Sequence, residues 1–297
     1  MNKLLIIGIA LLSFSCQTND VVNSLSSHNE DDTLTVFAPE LALKDNTYKG
    51  SFSDDFNTFY FFRKDTAGST NFIPYQSVFS NGKWGPAVEL GYYDKQYSYT
   101  YQLKIPDSDQ LIFMSNIRTA EDSSAYPNFN FWSVTESNGK WSSPEELGSK
   151  KLIKNYNTQP CISNSGTIYF TSLTPDYRFQ NPYKMEKVDG KYSEATLFEP
   201  VNKWTKIGAW KVGPYAMDPD EKFLIVTIKE DDNSNDDLYI SYSKDGEWTS
   251  PTKLNNSINT TQKEGFPYIT SDGEFLIFTR QKSQFYILPT KQLHLNN

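Results

Sequence analysis

The chain has 297 residues and a formal charge of −8, with 28 Lys and Arg against 36 Asp and Glu. That balance, without any Lys/Arg cluster, excludes nucleic acid as a partner, because phosphate binding needs a basic surface. Aromatic residues make up 15%, led by 19 Tyr and 20 Phe, and helix-favouring runs are scarce, a composition of many short strands.

The chain begins with Lys3, an apolar run from Leu4 to Leu12, and Ser13-Phe14-Ser15-Cys16. These are the charged start, apolar core and small-residue end of an export signal. The run is too short for a permanent membrane span. A cysteine directly after a small residue resembles the lipobox of bacterial lipoproteins, with Leu12 one position farther out than that pattern has it. The resemblance implies that Cys16 becomes the acylated first residue of the mature chain and anchors it to a membrane. Residues 17–32 are polar and show no apolar period, which predicts a flexible tether. Residues 33–297 are then expected to form one domain, displayed from a membrane surface with no further span. Beyond Cys16 the sequence holds only Cys161, so no disulfide can form within that domain.

Inside the domain one unit recurs. Its clearest copy, Met217 to Leu254, reads as a turn at Asp218-Pro219-Asp220, an apolar strand from Phe223, a polar loop, a strand from Leu238, a turn at Asp245-Gly246 and a Trp opening another strand. Aligned on the apolar strand, Phe59, Leu111, Ile168, Phe223 and Phe275 mark five copies at steps of 52, 57, 55 and 52 residues. A period in this range means a stacked or circular repeat. In four copies two aromatics nine positions apart bracket a turn. They are Tyr75 and Trp84 around Asn81-Gly82, Trp132 and Trp141 around Asn138-Gly139, Tyr183 and Tyr192 around Asp189-Gly190, and Tyr239 and Trp248 around Asp245-Gly246. Asn-Gly and Asp-Gly favour the left-handed backbone of two-residue hairpins. With an inner strand ahead of each polar turn, every copy supplies four antiparallel strands, which is a propeller blade. The bracketing aromatics are expected to pack between blades, and Asp218, Asp220 and Asp272 to cap their own turns.

The fifth copy stops after Gln284-Phe285-Tyr286-Ile287-Leu288 and lacks a fourth strand, while Leu34 to Pro39 offers one from the other terminus. Donating that strand would close the ring and remove its free edges. The expected fold is therefore all-β, a five-bladed propeller of four-stranded antiparallel blades closed by an N-terminal strand. An extra strand hidden in Val201 to Trp210 would change the blade number.

The sequence Asp237 to Tyr239, followed by Asp-Gly-x-Trp-x-x-Pro-x-x-Leu from Asp245 to Leu254, resembles the WD40-like repeat called PD40. That repeat occurs in the propeller domain of TolB and in many lipoproteins, and the resemblance covers about residues 33 to 290. Only Asp218-Pro219-Asp220 and Ser271-Asp272-Gly273 approach the family's Ser-Pro-Asp-Gly turn. The resemblance implies the propeller fold and a habit of binding, without catalytic residues. It places the chain on the bacterial envelope, at the outer membrane, and a monomer is expected.

The residues opening each inner strand are expected to line the mouth of the central channel. They are Lys49, Tyr101-Gln102, Thr158-Gln159, Lys211 and Lys263-Glu264. This polar, cationic and aromatic set suits hydrogen bonding and stacking on a carbohydrate or a peptide. The leading reading is a binding or scaffold module for an envelope protein or glycan. The alternative is a glycosidase-like enzyme using a carboxylate pair near Glu264. His28 and His294 lie in the tether and the tail, so histidine-based triads and metal sites are excluded from the propeller. Cys161, beside Pro160 at the start of an alternating strand, reads as a small buried apolar residue. The acidic loop from Glu230 to Asp237 alternates oxygen donors but lacks the glycine and terminal glutamate of a calcium loop, and reads as solvated. No cofactor and no metal is expected.

Overall fold

The computed structural model describes residues 34–41, 47–65, 71–118, 129–147, 156–173, 180–206, 211–231, 234–281 and 284–294. The expected signal and tether, Cys16 included, lie outside the described residues.

The chain folds as an all-β, five-bladed propeller of antiparallel blades. The first blade comprises Thr47–Phe52, Thr58–Lys64, Phe72–Ser80 and an outer edge in two pieces, Lys83–Trp84 and Val88–Glu89. The second comprises Tyr99–Lys104, Gln110–Ser115, Asn130–Ser137, Lys140–Trp141 and Glu145–Glu146. The third comprises Tyr156–Ile162, Ile168–Leu173, Gln180–Met185 and Thr196–Leu197, with Lys187–Val188 and Lys191–Tyr192 paired to each other at its hairpin tip. The fourth comprises Lys211–Met217, Phe223–Lys229, Asp237–Lys244, Glu247–Trp248 and Thr252–Lys253. The fifth comprises Glu264–Ile269, Phe275–Arg280 and Gln284–Pro289, and its outer strand is Thr35–Phe37, with Val36 opposite Tyr286.

Local chemistry explains these elements. Each second strand is covered on both faces by neighbouring blades, so it reads as an unbroken apolar run rather than an alternation. Phe59, Tyr60, Phe61 and Phe62 are all buried, as are Leu111, Ile112, Phe113 and Met114. Both central residues of each hairpin adopt positive φ, for example Asn138 at 50° and Gly139 at 71°, the two-residue geometry that the Asn-Gly and Asp-Gly pairs predict. Just beyond the bracketing aromatic the outer edge steps out of register. Ser142, Ser193 and Thr249 then turn their hydroxyls back to accept the amides of Thr135, Glu186 and Tyr242. Asp218 accepts the amides of Asp220 and Lys222, and Asp272 accepts that of Glu274, so these two acids cap their turns as expected. Asp220 instead faces Lys222 at 2.7 Å.

Five apolar clusters fill the five seams between blades. Phe37, Phe52, Phe59, Trp84 and Phe285 join the fifth blade to the first. Tyr60, Tyr92, Phe113 and Trp132, with Trp141 against them, join the first to the second. The bracketing aromatics Trp84, Trp141, Tyr192 and Trp248 all lie in such seams, as expected. The first part of the segment suspected of hiding a strand instead lies in a helix, Glu199–Lys206, and residues 207–210 lie outside the described residues. Phe198, Val201 and Trp204 stand three residues apart, which puts them on one helical face, and all three are buried between the third and fourth blades.

Candidate functional site: the ring of inner strands

The alternation of strands gives the propeller two unlike ends. At one end the chain turns through short hairpins and the five-residue turns 53–57, 105–109, 163–167, 218–222 and 270–274. At the other, the inner strands begin and each second strand hands the chain on to the third. Binding residues gather where loops of free length sit on a rigid scaffold.

Each inner strand carries a register shift near its loop-side end, so one residue per blade is pushed out of the ladder. Those residues are Lys49, Tyr101, Gln159, Gly213 and Phe266. Tyr101, Gln159 and Phe266 hold left-handed backbone at φ of 55°, 61° and 53°, and Gly213 takes the same place at 132°. Proline follows in three blades as Pro160, Pro214 and Pro267. The inner strand is an edge facing the channel, so a missing N–H costs it no ladder bond.

Lys49 reaches across the centre of the ring at this level. Its side chain is only 2% exposed, and its Nζ donates to the carbonyl of Pro160 at 2.8 Å and of Tyr215 at 3.3 Å. The ammonium also stands 5.8 Å from the ring centre of Tyr101. One side chain from the first blade thus ties together the second, third and fourth. Burial pulls its pKa down to about 8, and the nearby Cys161 thiol acts in the opposite direction. Cys161 is itself buried, which pushes its thiol up to about 11 and leaves it a packing residue at neutral pH.

The expected mouth residues thus fall at two levels. Lys49, Tyr101 and Gln159 belong to the ring of displaced residues. Lys211 and Glu264 stand two positions earlier in their own strands, level with Thr47, Tyr99 and Asn157. The residues of the fourth and fifth blades that match Lys49 are Gly213 and Phe266. The missed signal is the X-Pro dipeptide, Gln159-Pro160, Gly213-Pro214 and Phe266-Pro267, which fixes the register in three of the five strands. The expectation of an open mouth lined by all these groups also needs correction. Lys49 and Gln102 are 2% exposed, Tyr101 is 7% exposed, and Thr158 is buried, its backbone carbonyl accepting from the Thr171 hydroxyl. Gln159 is half-buried and Lys263 is exposed. The side chain of Lys211 lies outside the described residues.

Glu264 is 0% exposed. Its Oε1 accepts from Arg280 Nε at 2.8 Å and from the Thr260 hydroxyl at 2.6 Å, and its Oε2 accepts the Thr260 amide at 3.2 Å. Arg280 donates onward to the carbonyl of Ile258 at 3.0 Å. A carboxylate held this way ties a connecting loop to the fifth blade. Among the described residues, no group of His, Cys, Asp and Glu side chains is arranged to hold a metal ion.

No protein-family model matches the chain, and no curated protein matches it in sequence. Among solved structures, an α-L-arabinofuranosidase from Lactobacillus brevis matches over 83% of this chain and 90% of its own, with TM-score 0.53 and 13% identity. A gluconolactonase from Xanthomonas campestris matches over 86% and 89%, with TM-score 0.50 and 10% identity. A putative TolB from Agrobacterium tumefaciens matches over 84% and 77%, with TM-score 0.48 and 10% identity. Likeness at such identity is likeness of fold, and the protein is a β-propeller. The fold hosts unrelated activities, so function is argued from the site.

Proposed function

We infer that the chain is an envelope lipoprotein of PD40 type, anchored through Cys16, whose propeller binds a protein or glycan partner at its loop-side end. One observation carries the reading: Lys49 of the first blade is buried at the centre of the ring and held by the carbonyls of Pro160 and Tyr215, at the level where the inner strands of all five blades carry a register shift near their loop-side end. That end therefore presents a rigid platform built from every blade, which suits capture of a partner. Glu264 is already committed to Arg280 and Thr260, so it serves this site as a structural anion rather than as an acid catalyst. No helix among the described residues is long and apolar enough to cross a membrane; the anchor in this reading is the acyl chains on Cys16.

The test of anchoring is fractionation of cells expressing the full chain or Cys16→Ala, with mass spectrometry of the mature N-terminus. The full chain is expected in the membrane fraction with an acylated Cys16, and Cys16→Ala in the soluble fraction. A membrane-bound, unacylated Cys16→Ala chain would overturn the lipoprotein reading.

A further inference from the structure

We propose that the loop-side end of the first blade holds a carboxylate-binding site, in which the Arg63 guanidinium and the Thr47 hydroxyl take the acid group of a small ligand. The site goes beyond the partner-binding reading above and does not depend on it.

The fifth blade shows what the frame of this site is built to hold. Glu264 and Arg280 stand opposite each other on neighbouring strands. Arg280 donates its Nε to Glu264 at 2.8 Å and its Nη2 to the carbonyl of Ile258, 22 residues earlier, at 3.0 Å. The guanidinium lies 4.3 Å from the ring centre of Tyr286 and 6.0 Å from that of Phe278. Those two rings stack on each other at 5.7 Å with planes 20° apart.

The first blade repeats this frame without its acid. Thr47 and Arg63 stand opposite each other in the same register. Arg63 donates its Nη2 to the carbonyl of Leu41, again 22 residues earlier, at 2.6 Å. Its guanidinium lies 4.9 Å from the ring centre of Phe61 and 5.1 Å from that of Tyr75, and these rings stack at 5.8 Å with planes 19° apart. In place of Glu264 stands Thr47, whose side chain ends at the level of a glutamate Cγ, one bond short of the carboxylate carbon. The Thr47 Oγ1 and the Arg63 Nε are both buried, and neither has a hydrogen-bond partner.

A buried donor without a partner costs about 1–3 kcal/mol, and more when it is charged. The donor pair matches what the fifth blade offers its own acid, since Glu264 accepts from an arginine Nε and from the Thr260 hydroxyl. A carboxylate brought by a ligand would satisfy both orphaned groups of the first blade with charge-assisted bonds. Thr47 is 0% exposed, whereas Arg63 is only partly buried at the end of its strand, so the guanidinium marks the side from which the ligand enters.

The test uses the full chain in a polyoxyethylene detergent, titrated calorimetrically with acetate, glutarate and glucuronate, and with acetamide, sulfate and phosphate as controls. Thr47→Val, Arg63→Gln and Thr47→Glu are compared with Lys222→Ala at the opposite end, each with a thermal melt to establish folding. At least one carboxylate is expected to bind, more tightly than any control. Arg63→Gln should weaken it by about tenfold or more, Thr47→Val by about threefold, and Lys222→Ala not at all. Thr47→Glu supplies the acid from the chain itself, so it should abolish binding and raise the melting temperature by about 3 °C. Thr47→Val keeps the shape of threonine and reads out binding even if Thr47→Glu fails to fold. Binding unchanged in Thr47→Val and Arg63→Gln would overturn the site, as would a control bound as tightly as the carboxylates. Carboxylates that do not bind at all would overturn it too, while leaving the partner-binding module standing, because that reading uses neither residue.

Discussion

Lys49 carries a charge into the middle of the ring, where its two partners among the described residues are backbone carbonyls and neither is a carboxylate. Shortening it to alanine would open a cavity and orphan both carbonyls, at about 2–4 kcal/mol, whereas Lys49→Met also orphans the carbonyls but fills the space and is expected to cost about 1–2 kcal/mol. The pH dependence has a definite sign. In the unfolded chain the amine keeps its proton up to the ordinary lysine value of about 10.4, while in the fold it releases it near about 8. Between these values the unfolded state binds more protons at this amine, so Lys49 by itself raises stability with pH, by about 2 kcal/mol between pH 8 and 10, while the buried Cys161 thiol, raised to about 11, acts the other way over the same range. Above pH 10 the buried tyrosines act the other way. Tyr99, for example, is held at about 12 by burial and stays protonated in the fold while unfolded tyrosine ionises. Denaturant titrations from pH 7 to 11 check this: from pH 8 to 10 wild type should gain about 2 kcal/mol relative to Lys49→Met, which has no amine to titrate. Glu264 makes the opposite case, a buried anion with a full set of donors. Glu264→Gln leaves the Arg280 guanidinium, 13% exposed, without its counter-charge, and should lower stability by about 3 kcal/mol in the same titration.

At the scale of the element, the hairpins and the closing strand carry separable energies. A Cβ added at Gly139 would meet nothing within 4 Å, so Gly139→Ala measures backbone strain at φ 71° alone. It should cost about 1 kcal/mol by chemical denaturation, with the slope of the transition unchanged. Gly50 is glycine for a different reason. The ring of Phe59 stands 1.9 Å from where its Cβ would be, so the first blade lets an aromatic ring use the space beside its inner strand. The outer strand Thr35–Phe37 is short, yet Phe37 meets Phe52, Phe59, Trp84 and Phe285 with centroids 5.1–6.5 Å away. Phe37→Ala is expected to cost about 3–4 kcal/mol, comparable to a core truncation, because the ring plugs the last seam to close. Its thermal melt should shift far more than that of Val36→Ala, whose side chain is 41% exposed on the same strand.

Over the whole molecule, what could be read from residue order was everything set by short-range chemistry. The five copies, the hairpin turns and the strand donated by residues 34–39 follow from periodic apolar runs, from Asn-Gly and Asp-Gly pairs, and from a fifth copy that ends without its outer edge. The seam position of the bracketing aromatics followed as well, since two large rings at fixed spacing on every blade need a repeated place to be buried. Two features stayed hidden because they depend on partners far along the chain. Lys49 looks like a solvated lysine until Pro160 and Tyr215 are brought opposite it by ring closure. Glu264 looks like an unpaired acid until Arg280 of the adjacent strand turns toward it. Sequence by itself determined the architecture, because each blade encodes its own hairpins and the period counts the blades. Only the tertiary structure decided the site, because the centre of the ring has no existence in any single repeat, and which side chains reach across it depends on a register shift read in all five strands at once.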